Sequence, residues 1–146
     1  MTSTTPAADA QLLGLAHYAA RGVLEHVLSR HGITFTQHIV LRAATTKPPQ
    51  TPEDLITQVH TSLKINPDDI RTVLDELRSS QLLTANGRHL GPTAPARELL
   101  TAIAVDVAPV AARIWGGIPA EDLAAAGRVL ALVADRANTE LATLTA

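Results

Sequence analysis

Cysteine is absent from this chain. That excludes disulfides, thiol nucleophiles and thiolate metal sites, and it fits a reducing cytoplasm. Aromatic residues make up only 2%, so the core must be aliphatic and Ala-rich. Charge of one sign is also missing: 12 basic residues stand against 14 acidic ones, a net charge of −2. A strongly basic chain would point to nucleic acid by charge alone, and this one does not. No apolar run approaches the ~20 residues that a membrane span needs. The opening residues MTSTTPAADA lack a basic n-region and an apolar stretch, so residues 1–8 are expected to be a flexible lead-in.

What is present is enough apolar residue to fold. Hydrophobic residues are 46% of 146, sufficient for a single domain with a real core. Asp9 to Arg30 has helical spacing with two adjacent apolar stripes. One is Leu12, Ala16, Ala19, Val23 and Val27; the other is Leu13, Ala20, Leu24 and Leu28. So wide an arc exceeds what a surface helix shows to one core, which predicts cover on two sides. His31-Gly32 ends this helix. Thr34 can cap a second helix, Phe35 to Ala44. Lys47, Pro48 and Pro49 break the pattern, and Thr51-Pro52 starts a third helix that runs to about Ser62.

Lys64 to Pro92 is the most informative stretch. Asn66 is a good N-cap and Pro67 fits the first helical position. Ile70, Val73, Leu74 and Leu77 then form one apolar face. Leu82 to Ala85 and Arg88 to Leu90 flank Asn86-Gly87, which predicts a hairpin with a type I′ turn. A short helix, a second helix and a hairpin make the skeleton of a winged helix-turn-helix. That skeleton inserts its second helix into the DNA major groove. From Thr93 the pattern is helical again, with Pro109 expected to kink or split the run. Trp115 to Pro119 is a break, and Ala120 to about Leu144 is a final helix. The first and last helices exceed what a winged helix needs for its own core, which predicts an interlocked homodimer.

This order of elements resembles the MarR family of transcriptional regulators over roughly Leu12 to Leu144. The resemblance rests on Ile39-Val40-Leu41-Arg42-Ala43-Ala44, Pro52-Glu53-Asp54-Leu55, Asn66-Pro67 through Leu74 and Leu77, Leu82-Leu83, and Thr93 through Leu100. It implies a mainly α fold with a short β-hairpin. Residues 9–146 would form one domain, with 33–92 as the winged helix-turn-helix and 9–32 and 93–146 as dimerisation helices. It also implies a ligand-responsive regulator that binds double-stranded DNA.

The departures from the family pattern concern function. Where the family offers Ser, Thr and Arg to DNA, this chain has Asp68, Asp69, Arg71 and Thr72. Arg88 alone stands for the basic residue of the wing, and Gln81 replaces a Gly before it. Lys64, Asp68, Asp69, Arg71, Thr72 and Arg88 are the candidate DNA-binding residues. Residues 47–92 hold five bases against six acids, a balance of −1. Backbone affinity comes from neutralising phosphates, so such a face binds weakly unless its bases are segregated. Asp68 and Asp69 can equally serve the positive end of their own helix.

In MarR-like proteins a small-molecule pocket lies between the first, second and fifth helices. His17 with Arg21, and His38 with Arg42, are i,i+4 pairs that can point into such a pocket. They would suit a small aromatic acid, with Arg gripping a carboxylate bidentately. The alternative is a core His beside a surface Arg: Arg21 paired with Glu25, and Arg42 snorkelling. The six histidines show no compact chelating pair, so no metal is expected, and neither is any cofactor. No phosphate loop, nucleophile elbow or credible carboxylate pair occurs, so no catalytic residue is assigned. The competing reading is a MarR-like scaffold that has lost DNA binding and acts as a small-molecule binder, partner-binding module or enzyme.

Overall fold

The computed structural model describes residues 5–146. The first half of the expected lead-in therefore lies outside the described residues. Six helices and one hairpin follow in the order α1 (Ala10–Ser29), α2 (Phe35–Thr46), α3 (Pro52–Leu63), α4 (Pro67–Ser79), β1 (Leu83–Asn86), β2 (His89–Pro92), α5 (Ala94–Trp115) and α6 (Ala120–Leu144). The chain divides into two compact units, one running to Ala108 and one comprising Pro109–Ala146.

In the first unit, side chains start the helices. Asp9 accepts from Leu12 N–H at 2.8 Å. Thr34 and Gln37 form a reciprocal capping box, which satisfies two N–H groups that no intrahelical partner could reach. Thr51 caps α3 and Asn66 caps α4, each followed by proline. Between α3 and α4 the chain turns in three residues, because Lys64 adopts the left-handed conformation at φ 58°. The imidazole Nδ1 of His60 lies 2.8 Å from the Ile65 carbonyl and holds that turn.

Helices α2, α3 and α4 pack on one another. Their apolar faces join Leu28, Leu83, Leu90, Ala96 and Ile103 in one aliphatic cluster. Leu83 pairs with Pro92 and Ala85 with Leu90 in the hairpin register. The period-2 alternation puts Leu83 and Leu90 on one face, and both are buried. Leu90 N–H also donates to Gln50 at 2.7 Å, adding a single bridge that ties the hairpin to the α2–α3 connection.

Three expectations need correction. The hairpin turn is Gly87-Arg88, because Asn86 pairs with His89. Only Gly87 has positive φ there, at 63°. A lone left-handed Gly at the first central position fits type II′ and excludes type I′, which needs two. Next, α2 continues to Thr46, where the hydroxyls of Thr45 and Thr46 bond back to the Arg42 and Ala43 carbonyls. Finally, Pro109 does not split the run: α5 is one helix through it. Proline frees the carbonyl four residues earlier; Pro109 and Val105 are both exposed, so water can satisfy it.

The second unit holds the end of α5 and all of α6. No residue of α6 is buried, and Leu123, Val129, Leu130, Leu132, Val133 and Leu141 are exposed. Gly117 closes the turn before α6 at φ 78°. In α1 only Val27 and Leu28 are buried; Leu12, Leu13, Leu15 and Val23 are open to solvent. Among the described residues, no single helix is long and apolar enough to cross a membrane.

Candidate nucleic-acid interface and ligand cavity

Helix α4 buries Ile70, Leu74 and Leu77. The same 3.6 periodicity turns Asp68, Asp69, Arg71 and Thr72 outward. The two acids occupy the first turn, where the backbone N–H groups carry partial positive charge. The Asn66 side chain accepts from Asp68 N–H at 2.8 Å, so the cap does not rely on the Asp68 carboxylate. The Thr72 hydroxyl donates to the Asp68 carbonyl at 3.1 Å. Lys64 ends α3 and its Nζ donates to the Thr61 carbonyl. Arg88 sits exposed in the hairpin turn.

Residues 47–92 hold no ion pair among the described residues, so their acids stand as free as their bases. Among the described residues, the ion pairs are Arg21–Glu25 at 3.0 Å and His31–Asp106 at 2.7 Å. Lys64, Arg71, Arg78 and Arg88 therefore have no acid within pairing distance. Glu76 is engaged elsewhere: it accepts from Gln37 Nε2 of α2 at 2.7 Å. The bases of this face remain available to an external anion.

A cavity of about 400 Å³ opens beneath α1, α2 and α5. Leu24 of α1, His38, Arg42 and Thr45 of α2, and Leu100, Ile103, Ala104 and Val107 of α5 line it. Its walls are mostly aliphatic, with polar groups converging from α2. His38 is only 5% exposed. Its Nδ1 is buried and makes no hydrogen bond among the described residues. Burial holds its pKa below the ordinary histidine value, and the nearby Arg42 guanidinium lowers it further. His38 is therefore a neutral imidazole near pH 7, beside a fixed positive charge. Arg42 can hold an anionic group, while Nδ1 can donate or accept one hydrogen bond according to tautomer.

Of the four expected ligand residues, the structure brings His38 and Arg42 together and leaves His17 and Arg21 apart. His17 is exposed and its ring packs against Tyr18, with centroids 5.5 Å apart. Arg21 donates from Nε to Glu25 and lies over the Phe35 ring at 4.1 Å. The helical wheel placed both on the inner arc, but the cation–π contact and the ion pair hold Arg21 outside the cavity. Leu24, two turns beyond His17, is the α1 residue that lines the cavity. The resemblance implies a pocket wall from the fifth helix but singles out none of its residues; Leu100, Ile103, Ala104 and Val107 supply it.

No protein-family model matches the sequence, and no curated protein matches it. Solved structures do. A protein described as transcriptional regulator PA3341 is 26% identical, with a TM-score of 0.70, covering 89% of this chain and 96% of that one. The Mycobacterium tuberculosis MarR family protein Rv2887, solved in complex with DNA, is 22% identical; 88% of this chain and 98% of that one align at TM-score 0.68. Staphylococcus aureus MarR, solved with salicylate and kanamycin, is 19% identical, with 86% and 87% coverage at TM-score 0.71. The chain has the MarR fold. In MarR terms α4 is the recognition helix and β1–β2 the wing. The Gly expected between them is Gln81, which takes the left-handed conformation at φ 60°.

Proposed function

We propose that this chain is a homodimeric, ligand-responsive transcription regulator that binds double-stranded DNA in the cytoplasm. The observation that carries the reading is the exposed face of α4 and the wing. There, Arg71 and Arg88 are free of ion pairs, on a scaffold with the MarR fold. Two copies would place their recognition helices in successive major grooves, about 34 Å apart. Arg71 can read a guanine edge bidentately, and Arg88 can meet the backbone or the minor groove from the wing. Asp68 and Asp69 then act as selectivity elements. Each can accept from a cytosine amino group, and each repels misplaced phosphate.

The homodimer is supported by the apolar side chains that α1 and α6 each leave exposed, since contiguous exposed apolar surface marks an interaction site. The ligand reading rests on the cavity. Arg42 would take the carboxylate of a small aromatic acid, His38 Nδ1 its neighbouring polar group, and Leu24, Leu100, Ile103 and Val107 its ring. Such a ligand changes DNA affinity only as far as it binds the two spacings of the recognition helices differently.

Fluorescence anisotropy with duplex DNA, with and without salicylate, tests the proposal. Salt-dependent binding that salicylate weakens is the expected result. A second reading is favoured by the acids at the start of α4: a scaffold that keeps the cavity and has lost DNA. It would show a salicylate-induced rise in melting temperature and no duplex binding.

A further inference from the structure

Among the described residues, the ligand cavity holds a fixed positive charge and no counter-charge. Arg42 lines it, while Leu24 of α1 and Leu100, Ile103 and Val107 of α5 carry nothing ionisable. Arg42 forms no ion pair among the described residues. One turn before it on α2 stands His38, buried, with an Nδ1 that makes no hydrogen bond there. Acids on the elements around α2 are turned to other partners. Glu25 of α1 pairs with Arg21, Asp106 of α5 pairs with His31, and Glu76 of α4 accepts from Gln37. His17 of α1, Glu53, Asp54 and His60 of α3, His89 of β2, and Arg97 and Glu98 of α5 are exposed, and none lines the cavity.

We propose that the cavity takes a small organic acid as a carboxylate and a proton together, the carboxylate on Arg42 and the proton, drawn from solvent, on the His38 ring. The proposal rests on the reading of this cavity as a ligand site. Without an anion, an imidazolium here would stand one turn from the Arg42 guanidinium among aliphatic walls. Burial and that like charge both disfavour it, so the empty site holds a neutral ring. A carboxylate on Arg42 offsets the like charge and gives the ring an opposite charge to face, which favours the imidazolium. A ligand without charge offsets nothing and takes up no proton. A carboxylate and a proton sum to the neutral acid, the form in which a weak acid crosses an apolar barrier. The site thus reads both things that such an acid delivers.

Calorimetric titration of the full chain with salicylate, from about pH 7.5 to about pH 5, tests the coupling, since the carboxyl group stays ionised over that range. A carboxylate within about 4–6 Å moves a neighbouring pKa by about 1–3, so affinity is expected to rise at least about 3-fold as pH falls. Comparing two buffers of different ionisation enthalpy at about pH 6 should show net proton uptake. His38→Gln is expected to bind with a flat pH profile and no uptake. His17→Gln, outside the cavity, is expected to keep the wild type's profile. Should His38→Gln fail to fold, the wild type's histidine Cε1–H resonances decide: the one that titrates below 6.5 alone should titrate higher with salicylate. If the wild type binds salicylate with a flat profile and no uptake, or if the profile survives unchanged in His38→Gln, or if no histidine moves, the coupling is overturned and the ligand reading stands. No salicylate binding at any pH overturns both.

Discussion

The Thr93 hydroxyl donates to the Gln81 carbonyl at 2.7 Å and accepts from Ala96 N–H at 3.2 Å. One side chain thereby closes the base of the wing and caps α5, the helix that walls the ligand cavity. Gln81 itself is left-handed at φ 60°, a conformation that costs a side-chain-bearing residue about 1 kcal/mol and glycine almost nothing. Thr93→Ala should lower stability by about 1–2 kcal/mol, the usual magnitude for a lost N-cap. Thr93→Ser should keep most of it. Gln81→Gly should raise stability by up to about 1 kcal/mol through relief of strain. Urea unfolding measures all three; a neutral Thr93→Ala would show that the cap does not hold the wing.

His38 gives the fold a pH dependence of known sign. Its folded pKa lies below the ordinary value of 6.5. As pH falls through 6.5, the unfolded chain takes up a proton that the folded chain resists. The stability this residue contributes is therefore complete above about pH 6.5 and is lost progressively toward the lower folded value. His38→Phe should flatten the wild type's loss of stability below about pH 6.5. Unchanged curvature would place the titration on another histidine.

The cavity predicts a split between two arginines. Salicylate should raise the melting temperature by mass action on the folded state. Arg42→Ala should reduce that shift, because Arg42 lines the cavity. Arg21→Ala should not, because Arg21 is engaged with Glu25 and Phe35 outside it. Equal losses in both variants would contradict the boundary drawn here.

That split also shows how far the sequence was legible. Caps carried much of the fold: Thr34, Thr51 and Asn66 each announced a helix that the structure contains, because capping is a local interaction written within four residues. The hairpin was legible in kind and misplaced by one residue. Asn86-Gly87 favours type I′ on local propensity, whereas the core position of Leu83 and the bond from Leu90 to Gln50 select the register in which Gly87 leads the turn. His38 and Arg42 were legible because α2 is packed on both sides. His17 and Arg21 were not, since a helical wheel gives spacing and no account of which neighbour a long side chain prefers.

The proposed dimer rests on the apolar faces left open. Leu130 and Val133 of α6 are 46% and 44% exposed, and covering a side chain of this size contributes about 1.5–3 kcal/mol. Sedimentation should find a dimer at micromolar concentration. Leu130→Glu with Val133→Glu should weaken it at least 100-fold, since charge would be buried in place of apolar surface. A folded wild-type monomer would contradict the assignment of α1 and α6 as dimerisation helices.

The central claim is that the face of α4 and the wing reads DNA despite its acids, and one titration tests it most directly. Anisotropy of a labelled duplex at about 50 mM salt should show binding by the wild type. Asp68→Asn with Asp69→Asn should bind non-specific duplex more tightly, because two like charges leave the phosphate face. Arg71→Ala should lose about 1–3 kcal/mol on a specific site if it reads a base. Absence of duplex binding in both the wild type and the double Asn variant would show that charge is not the obstacle, and would contradict the account.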